Sequence, residues 1–434
     1  MADNINPREI VLDILVDIDK NNRLSNLTIQ SALKKHQFAT KQDRAFITRM
    51  CEGVIEYKLL LDYIVNQYSN MKINKCKPVI RNILRMGVYQ LKFMDSIPDA
   101  ATCNEAVKLA KKKKFTTLAP FVNGVLRNIA RDIENVKYPS EIDEPNIYLS
   151  VMYSMPEWLV DKLVKDYDYH TVKGMLEASM ADRPTTIRCN EKNISIDMLT
   201  KKLEEHDIQV SKADYIDSAL HISHYDNIRR TPGFLDGDFV VQDESSMLVG
   251  LIANPKSSDF IMDVCSAPGG KSLHLAELMK DSGKILSRDI TEEKVNLIED
   301  NIDRCGYKSI ECEVRDALDF DEELREQVDI LIADLPCSGL GIIGKKNDIK
   351  YRLSKEQLDE LVKLQQDILL VVKDYVKPGG TLIYSTCTVN LDENINNAKW
   401  FVEHSEFEFD SIEEYVPTAL ECKTGKEGYI NLVP

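Results

Sequence analysis

From about Phe239 to the end of the 434-residue chain, short apolar runs alternate with glycine-rich or polar turns and helix-like stretches. The runs typical of strands span residues 260–264, 284–287, 328–333 and 381–384. Strands that alternate with helices predict a parallel sheet covered by helices on both faces. Sheets of this kind bind ligands beyond the carboxyl ends of their strands. We therefore predict an α/β doubly wound domain over residues 239–434, with its site at that edge.

Two of the ten cysteines directly follow strand-like runs of this domain. Cys337 lies in the segment 334–339, DLPCSG, and Cys387 lies in the segment 385–388, STCT. Because both strands are expected to end at the same edge, the two thiols could reach one substrate atom. Either cysteine alone would more commonly be a small buried hydrophobic residue. The sequence contains no C-x-x-C pair, which argues against a zinc knuckle and leaves reduced thiols as candidate nucleophiles.

A glycine-rich turn at residues 265–271, CSAPGGK, joins a predicted strand to the helix-like stretch SLHLAELM. Gly269 and Gly270 allow a sharp turn that presents backbone amides to a ligand carboxylate at a helix N-terminus. Asp289 ends the next strand, where dinucleotide sites place the acid that binds ribose hydroxyls. Asp316 lies after the stretch that follows Asp289, and its carboxylate could accept a hydrogen bond from an adenine amino group. Each feature alone is more commonly a turn or a cap, but together, without a Walker-type lysine loop, they indicate an adenosyl ligand that lacks phosphates.

The net charge of −16 hides an asymmetry along the chain. Residues 1–140 hold 23 Lys and Arg against 14 Asp and Glu, a net charge of +9, whereas the remainder holds 32 against 57, a net charge of −25. The basic first third is a candidate phosphate-binding surface, and a solvated helical surface is the alternative. The lysine run at 111–114 has the same two interpretations. A competing phosphate-binding surface is a local basic strip around Lys345, Lys346, Lys350 and Arg352.

The first third of the chain predicts only helices. Asn6 is a good N-cap with Pro7 at the first helical position, and apolar residues follow at helical spacing. We therefore assign residues 1–135 to an all-helical domain, followed by a polar, proline-containing linker. Residues 148–238 mix a helix after Pro156 with short strand-like pieces such as 185–188, which predicts a small α+β adaptor.

Composition excludes a membrane protein. With 43% hydrophobic and 29% charged residues, the chain has the balance of a soluble globular protein. No apolar run approaches the roughly 20 residues that a membrane-spanning helix needs, and the N-terminus lacks a basic and then apolar leader. We therefore expect a cytoplasmic, monomeric protein that requires neither a membrane nor a metal.

Short motifs along almost the whole chain match a known family. Those of the sheet domain are 267–271 (APGGK), 336–341 (PCSGLG), 348–351 (DIKY), 378–380 (PGG) and 384–387 (YSTC). Others lie in the helical part, at 84–91, 97–98, 104–106 and 121–127, and in the adaptor, at 156–158 and 242–246. On these motifs the chain resembles the NOL1/NOP2/Sun family of RNA 5-methylcytosine methyltransferases. The resemblance implies a NusB-like helical domain, a small α+β adaptor and a Rossmann-like, S-adenosylmethionine-dependent methyltransferase domain.

The resemblance also implies a mechanism for the two cysteines. Carbon 5 of cytosine is a poor nucleophile, so the family adds a thiolate to carbon 6 to make carbon 5 reactive. By resemblance Cys387 is this nucleophile, and Cys337 assists loss of the carbon 5 proton and release of the thiolate. Asp334 would bind ring nitrogen 3, and Lys271 would lower nearby thiol pKa values and orient Asp334. The family's S-adenosylmethionine site corresponds to Cys265, Ser266, Ala267, Pro268, Gly269, Gly270, Lys271, Asp289, Asp316 and Asp334.

The substrate implied by the resemblance is RNA, with small-subunit (16S) ribosomal RNA favoured by the NusB-like first domain. Two alternatives stay open: methylation of another RNA, and a non-catalytic RNA-binding assembly factor that kept the fold. The target base must leave its stack to be reached.

Several positions depart from the family pattern. Ser266 and Leu335 stand where alanine is usual, and residues 344–347, GKKN, replace a turn richer in arginine and proline that would contact RNA. The family continues into a final Asp-Gly-Phe-Phe strand beside a strand at residues 407–410, whereas this sequence ends at Pro434. We therefore expect either a shortened sequence or a sheet edge that is closed differently.

Overall fold

The structure, a computed structural model, describes residues 6–21, 23–36 and 38–434. These residues form two compact units. The first comprises residues up to Ala181 together with Leu340–Leu353, and the second comprises Asp182–Gly339 and Ser354–Val433. The chain therefore leaves the second unit just after the Cys337 segment and returns to it 14 residues later.

The first unit contains ten α-helices and no strand within the described residues. They are α1 (Pro7–Asn21), α2 (Ser25–Lys35), α3 (Lys41–Glu56), α4 (Lys58–Tyr68), α5 (Pro78–Phe93), α6 (Asp99–Lys112), α7 (Ala119–Asp132), α8 (Pro145–Met152), α9 (Glu157–Asp166) and α10 (Tyr169–Met180). The apolar faces of α1 to α7 form one core around residues such as Leu12, Ile47, Leu61 and Leu126. The prediction of an all-helical start to the chain is confirmed. In the described part of the chain, every helix is too short or too polar to cross a membrane.

The first helix begins where the sequence predicts. Asn6 Oδ1 accepts the backbone N–H groups of Arg8, at 3.1 Å, and of Glu9, at 3.3 Å. The first amides of a helix have no partner within the helix, so the Asn6 side chain satisfies two of them. Pro7, which has no N–H to satisfy, is the first helical residue.

The lysine run at residues 111–114 is only partly available to a phosphate. Lys112 Nζ lies 2.6 Å from a carboxylate oxygen of Glu9, and Lys113 Nζ lies 2.7 Å from one of Asp13. Both carboxylates belong to α1. These two lysines therefore link the end of α6 to α1, whereas the other two lysines of the run are exposed.

Residues 340–353 are anchored in the first unit by buried polar groups. The Lys350 side-chain ammonium donates to the carbonyl oxygens of Glu56, at 3.2 Å, and Tyr153, at 3.1 Å. The hydroxyl of Tyr351 lies 3.1 Å from the same Glu56 oxygen and 3.0 Å from that of Ser154. Burial lowers the pKa of Lys350 to about 8 because the charged form loses hydration.

This anchoring changes the predicted basic strip. Lys350 is 4% exposed, so its assignment as an RNA contact is wrong: its ammonium is enclosed by backbone carbonyls. Arg352 lies 3.3 Å from the carboxylate of Asp348, which also accepts the N–H of Ser25 at 2.9 Å. Lys345 and Lys346 are exposed, so RNA contact by these two lysines stays a prediction.

The second unit begins with a small antiparallel sheet in the order β2-β3-β1-β4. Its elements are β1 (Thr185–Cys189), α11 (Ile196–Glu204), β2 (Gln209–Lys212), β3 (Ala219–Ser223) and β4 (Phe239–Val241). The side chains of α11 and the strands share one apolar cluster that includes Ile187, Leu199 and Phe239. The predicted small α+β part of the chain is thus present, with a strand at the predicted 185–188 piece.

A five-stranded parallel sheet follows, in the order β7-β6-β5-β8-β9. Its elements are α12 (Glu244–Ala253), β5 (Phe260–Asp263), α13 (Gly270–Leu278), β6 (Lys284–Asp289), α14 (Glu292–Cys305), β7 (Ile310–Val314), β8 (Val328–Asp334), α15 (Lys355–Val372), β9 (Val376–Ser385) and α16 (Ile395–Glu403). Alternate residues of a strand enter opposite clusters: Ile261 packs with α12, α13 and α14, and Met262 packs with α15 and α16. The predicted doubly wound sheet is confirmed.

Two strand predictions need correction. The sequence interpretation missed β7, because its segment IECEV has two glutamates and gives no continuous apolar run. It also expected a strand at residues 407–410, and in the described chain these residues form none. Within the described residues, β9 is therefore an edge strand of the parallel sheet.

Candidate active site

The carboxyl ends of β8 and β9 place the two cysteine segments side by side. Asp334 is the last residue of β8 and pairs in register with Ser385, the last residue of β9. Cys337 and Cys387 follow these residues by three and two positions. Because parallel strands end at the same edge, the backbone register alone brings the two thiols together.

The two thiols are in direct contact. Their sulfur atoms are 3.2 Å apart, and the backbone N–H of Cys387 donates to the sulfur of Cys337 at 3.3 Å. Cys387 is exposed, whereas Cys337 is only partly so. The hydrogen bond with Cys387 and burial both raise the pKa of Cys337, which keeps it as a thiol. The pair therefore combines an accessible sulfur with a protonated neighbour that can donate to it.

A charged pair lies at the same strand ends. Lys271 Nζ is 2.6 Å from Asp334 Oδ2, with side-chain exposures of 14% and 30%. The other oxygen of Asp334 accepts the hydroxyl of Ser385 at 2.7 Å. Asp334 is thus held by two donors from different elements, one on α13 and one at the end of β9. Its orientation is fixed, and it remains partly accessible to a ligand.

The glycine turn brings Lys271 to this position. Gly269 has φ +97°, which favours glycine, and its N–H donates to the carbonyl of Ser266 at 2.6 Å. A Cβ at this position would lie 3.1 Å from the Ile298 side chain. Helix α13 begins at the next residue, Gly270, so its unpaired N-terminal amides lie at the strand ends.

Asp289 is enclosed by protein donors. Its side chain is 3% exposed, and Oδ2 accepts the N–H of Ala267 at 3.0 Å. Oδ1 accepts the N–H of Ile290 and the ammonium of Lys294, both at 2.8 Å. A carboxylate has about four acceptor sites, so one further bond is available. The structure therefore gives Asp289 a role in shaping the 265–271 turn that the sequence did not indicate.

Asp316 lies in an open cleft beside β6 and β7. The cleft has a volume of about 760 Å³, and three exposed apolar side chains, Ile290, Val314 and Leu318, line it together with Phe320. One oxygen of Asp316 accepts the N–H of Leu318 at 3.0 Å, as in an Asx turn. Arg315 and Asp319 also line the cleft, so its surface is mainly polar, and the Asp316 carboxylate can accept a hydrogen bond from the amino group of a ligand.

The remaining predicted cofactor residues lie in the turn itself. The Cys265 side chain packs against the core, and burial raises its pKa to about 12. A ligand at the turn would therefore contact the backbone of Cys265 and not its thiol. The Pro268 carbonyl accepts the side-chain amide of Asn301 at 3.0 Å. Leu335, one of the two positions at which the family usually has alanine, is 3% exposed and fills the core beneath the strand end.

A buried hydroxyl and carboxyl network beneath the turn was not predicted. Asp263 ends β5 and is 0% exposed; Ser272 donates to it at 2.8 Å. Ser287 donates to the Ser272 hydroxyl at 2.8 Å, and the hydroxyl of Ser266 lies 2.9 Å from it. Burial raises the pKa of Asp263 to about 6. Ser266, the other position at which the family usually has alanine, thus adds a partner to this network.

A second buried carboxyl, also unpredicted, lies behind the cysteines. Glu393 is 0% exposed and accepts hydrogen bonds from the segment that contains Cys337. A lone glutamate in the polar stretch Asn390-Leu391-Asp392-Glu393-Asn394 gives no sequence signal of burial, because charged residues in such stretches are usually solvated. Only the position six residues after Cys387 could have drawn attention to it.

Comparisons with known proteins agree with this architecture. A family model described as 16S rRNA methyltransferase RsmB/F matches residues 250–434. The NusB family matches residues 5–131, and a ferredoxin-like domain of methyltransferase RsmF/B-like proteins matches residues 155–229. The predicted fold class, a NusB-like helical part, a small α+β part and a Rossmann-like methyltransferase domain, is confirmed.

Relatives match along nearly the full length. The chain is 36% identical to the "Probable ribosomal RNA small subunit methyltransferase B" of Bacillus subtilis, over 98% of this chain and 95% of that protein. It is 31% identical to the protein of the same name from Synechocystis sp., over 99% and 96%. The crystal structure of PH0851 superposes with a TM-score of 0.76 at 25% identity, over 93% of this chain and 90% of that one. The chain therefore belongs to the ribosomal RNA small subunit methyltransferase B family.

Proposed function

We propose that the chain transfers a methyl group from S-adenosylmethionine to carbon 5 of a cytosine in small-subunit (16S) ribosomal RNA, through a covalent adduct on Cys387. The observation that carries this proposal is the contact of two thiols, 3.2 Å apart, at the carboxyl ends of adjacent parallel strands. Methylation of a nucleophilic base atom needs no thiol, whereas carbon 5 of cytosine needs a covalent addition at carbon 6.

The geometry of the pair supports separate roles for the cysteines. Cys387 is exposed and can reach carbon 6 of a base that has left its stack. Cys337 stays protonated and can donate to the Cys387 sulfur, which stabilises a thiolate there. Once carbon 6 carries the adduct, a basic group beside it must take the proton from carbon 5. In the adduct Cys387 is a thioether and no longer shares a thiol proton with Cys337, so Cys337 can lose its own proton to solvent. As a thiolate, Cys337 then takes the proton from carbon 5, and the thiolate of Cys387 leaves by elimination.

Asp334 and Lys271 suit the opposite edge of the base. Addition at carbon 6 builds negative charge toward ring nitrogen 3, so a proton delivered there favours the reaction, and the Lys271 ammonium can supply that proton through the Asp334 carboxylate. Asp334 is oriented by the Ser385 hydroxyl and by Lys271 at 2.6 Å.

The residues around the glycine turn suit S-adenosylmethionine. The N-terminal amides of α13 suit the methionine carboxylate, and Asp289 lies beside them for the ribose hydroxyls. In the cleft around Asp316, the exposed apolar side chains of Ile290 and Val314 suit the face of an adenine ring, and the Asp316 carboxylate suits its amino group. S-adenosylmethionine supplies an electrophilic methyl group. The chain's own contribution is to hold the base between the thiols and Asp334, so that carbon 5 faces that group.

Ribosomal RNA as substrate is supported by the names of the relatives and by the basic first third of the chain. Another RNA remains the alternative substrate. A non-catalytic assembly factor would have no use for two thiols in contact beside an oriented Asp334, so the contact favours catalysis.

Bisulfite sequencing of 16S ribosomal RNA tests the proposal. RNA from cells that lack this gene should show one unprotected cytosine, and the wild-type chain should restore protection where Cys387→Ala does not. Restoration by Cys387→Ala would exclude the covalent mechanism. Unchanged protection at every 16S cytosine, with a change in a different RNA, would move the activity to that RNA.

A further inference from the structure

The carboxylate of Glu393 is fully buried beside the segments that contain Cys337 and Cys387. Its carboxylate is 0% exposed and accepts four hydrogen bonds. Ser338 supplies two of them, its N–H to Oε2 at 2.8 Å and its hydroxyl to Oε1 at 2.5 Å. The amides of Asn390 and Gln365 supply the others, at 2.9 and 3.1 Å. All four donors are neutral, so the carboxylate is held by hydrogen bonds alone.

These bonds hold the neighbours of Cys337. Ser338 directly follows Cys337, and both its N–H and its hydroxyl are bound to Glu393. Pro336 directly precedes Cys337, and its carbonyl accepts the same Gln365 amide that donates to Glu393, at 2.9 Å. The backbone on either side of Cys337 is therefore fixed by one buried pair, Glu393 and Gln365.

The same network holds the Cys387 segment. The hydroxyl of Thr388, which directly follows Cys387, lies 2.7 Å from the Ser338 hydroxyl. It also accepts the N–H of Asn390 at 3.1 Å, and Asn390 donates to Glu393. Ser338 and Thr388 are each 5% exposed. Both cysteine segments are thus tied to one carboxylate, although Glu393 touches neither sulfur.

A buried carboxylate without a cation is costly, so its presence calls for a reason. A fully bonded buried network fixes one geometry, because every displacement leaves a buried donor or acceptor without a partner. An apolar packing of the same two segments would tolerate sliding. Catalysis by two thiols depends on their separation, and a displacement of about 1 Å can cost about 100-fold in rate.

We propose that Glu393 is a positioning residue, which acts through Ser338 and Thr388 to hold the sulfur atoms of Cys337 and Cys387 in contact. The proposal rests on the proposed function for its catalytic consequence. Its structural part is that the separation of the two sulfur atoms depends on Glu393, and this part can be tested without RNA or a methyl donor.

Glu393→Gln tests the proposal with almost no change in volume. A glutamine accepts at one oxygen only, so its amide nitrogen must face either the Ser338 hydroxyl and the Asn390 amide or the Ser338 N–H and the Gln365 amide. Asp329→Asn is the control: it is also a carboxylate-to-amide change, at the opposite end of β8, where Asp329 is partly exposed and accepts the N–H of Phe260 and the ammonium of Lys377, both at 2.8 Å.

Oxidation by diamide measures the sulfur separation directly. Diamide takes two protons and two electrons from the two thiols, is itself reduced to the hydrazine, and leaves a Cys337–Cys387 disulfide. The cross-linked peptide is quantified by mass spectrometry over time. We expect Glu393→Gln to cross-link at least about tenfold more slowly than wild type, and Asp329→Asn to match wild type.

Kinetics give the second readout. We expect kcat of Glu393→Gln to fall by about 100-fold, with KM for RNA and the affinity for S-adenosylmethionine unchanged. Wild-type rates of both cross-linking and turnover in Glu393→Gln would overturn the proposal. If wild type itself forms no RNA adduct, the proposed function fails, yet the cross-linking rates still test Glu393.

Ser338→Ala covers the case in which Glu393→Gln does not fold. This variant removes only the hydroxyl that joins Glu393 to Thr388 and keeps the backbone bond. Slower cross-linking in Ser338→Ala supports the proposal. A wild-type rate overturns it, because the link between the two segments would then be dispensable.

Discussion

The sulfur atoms of Cys337 and Cys387 lie 3.2 Å apart, although 50 positions separate the two residues in the chain. The register of β8 and β9 produces this contact, since Asp334 and Ser385 end the two strands as a pair. A buried network centred on Glu393 then holds the segments that follow. Two thiols this close can share the addition and the elimination steps of one reaction.

Replacing Cys337 should separate those steps. We expect Cys337→Ala to add Cys387 to the RNA but to release it poorly, because the group that assists elimination is gone. A slowly migrating RNA complex should appear on a denaturing gel. The double variant Cys337→Ala with Cys387→Ala is the control and should form no complex. Absence of a complex with the single variant, under conditions where wild type turns over, would contradict this division of roles.

Removal of the Asp289 carboxylate should weaken cofactor binding. Asp289→Ala deletes the proposed acceptor for the ribose hydroxyls and frees the Ala267 N–H that Asp289 holds at 3.0 Å. The expected loss is about 1–3 kcal/mol, or about 5- to 150-fold in affinity for S-adenosylmethionine by calorimetry. Lys294→Met, which removes a cation but keeps the carboxylate, should have a smaller effect. Unchanged affinity in Asp289→Ala would remove Asp289 from the site.

The buried Asp263 should make stability depend on pH. Burial raises its pKa from 3.8 to about 6, so the folded state holds the proton over a range in which the unfolded state has lost it. This stabilising contribution is complete below pH 3.8 and is lost as pH rises through about 6. Asp263→Asn has no such proton, so its stability relative to wild type should rise by about 3 kcal/mol across this range. Urea unfolding of both proteins between about pH 3.5 and about pH 7 measures the difference. A constant difference would show that Asp263 does not titrate in this range.

The basic first third of the chain should supply much of the salt-sensitive RNA binding. Lys111 and Lys114 are exposed, and the double alanine variant should reduce the slope of log affinity against log salt by about 2. The double alanine variant of Lys345 and Lys346 tests the competing surface. A slope that falls only in this second variant would place the main electrostatic contact after Cys337, and the helical part would then serve another purpose.

Local patterns in the sequence predict most of the elements. The Asn6-Pro7 start of α1, the glycine turn before α13 and the apolar runs of β5, β6, β8 and β9 are each set by a few neighbouring residues. The strand-and-helix order then fixes a parallel sheet and the edge at which its ligands bind. For this reason the sequence alone predicts that the two thiols lie close together.

Other features depend on residues far apart in the chain. Lys350 has the sequence context of a surface lysine, yet Glu56 and Tyr153 enclose its ammonium. Its burial follows from the packing of residues 340–353 into the first unit, for which the local sequence has no signal. The strand β7 was missed for a related reason. Its two glutamates interrupt the apolar run that would have indicated a partly buried strand at the sheet edge.

The sequence by itself determined the helical and doubly wound parts, the glycine turn and the pair of strand-end cysteines, because these follow from propensity and periodicity within short windows. Only the tertiary structure decided which polar groups are buried. Asp263 and Glu393 are both 0% exposed, and their environments come from donors on other elements. Burial of a carboxyl is a property of its surroundings, and those surroundings exist only once distant segments have packed together.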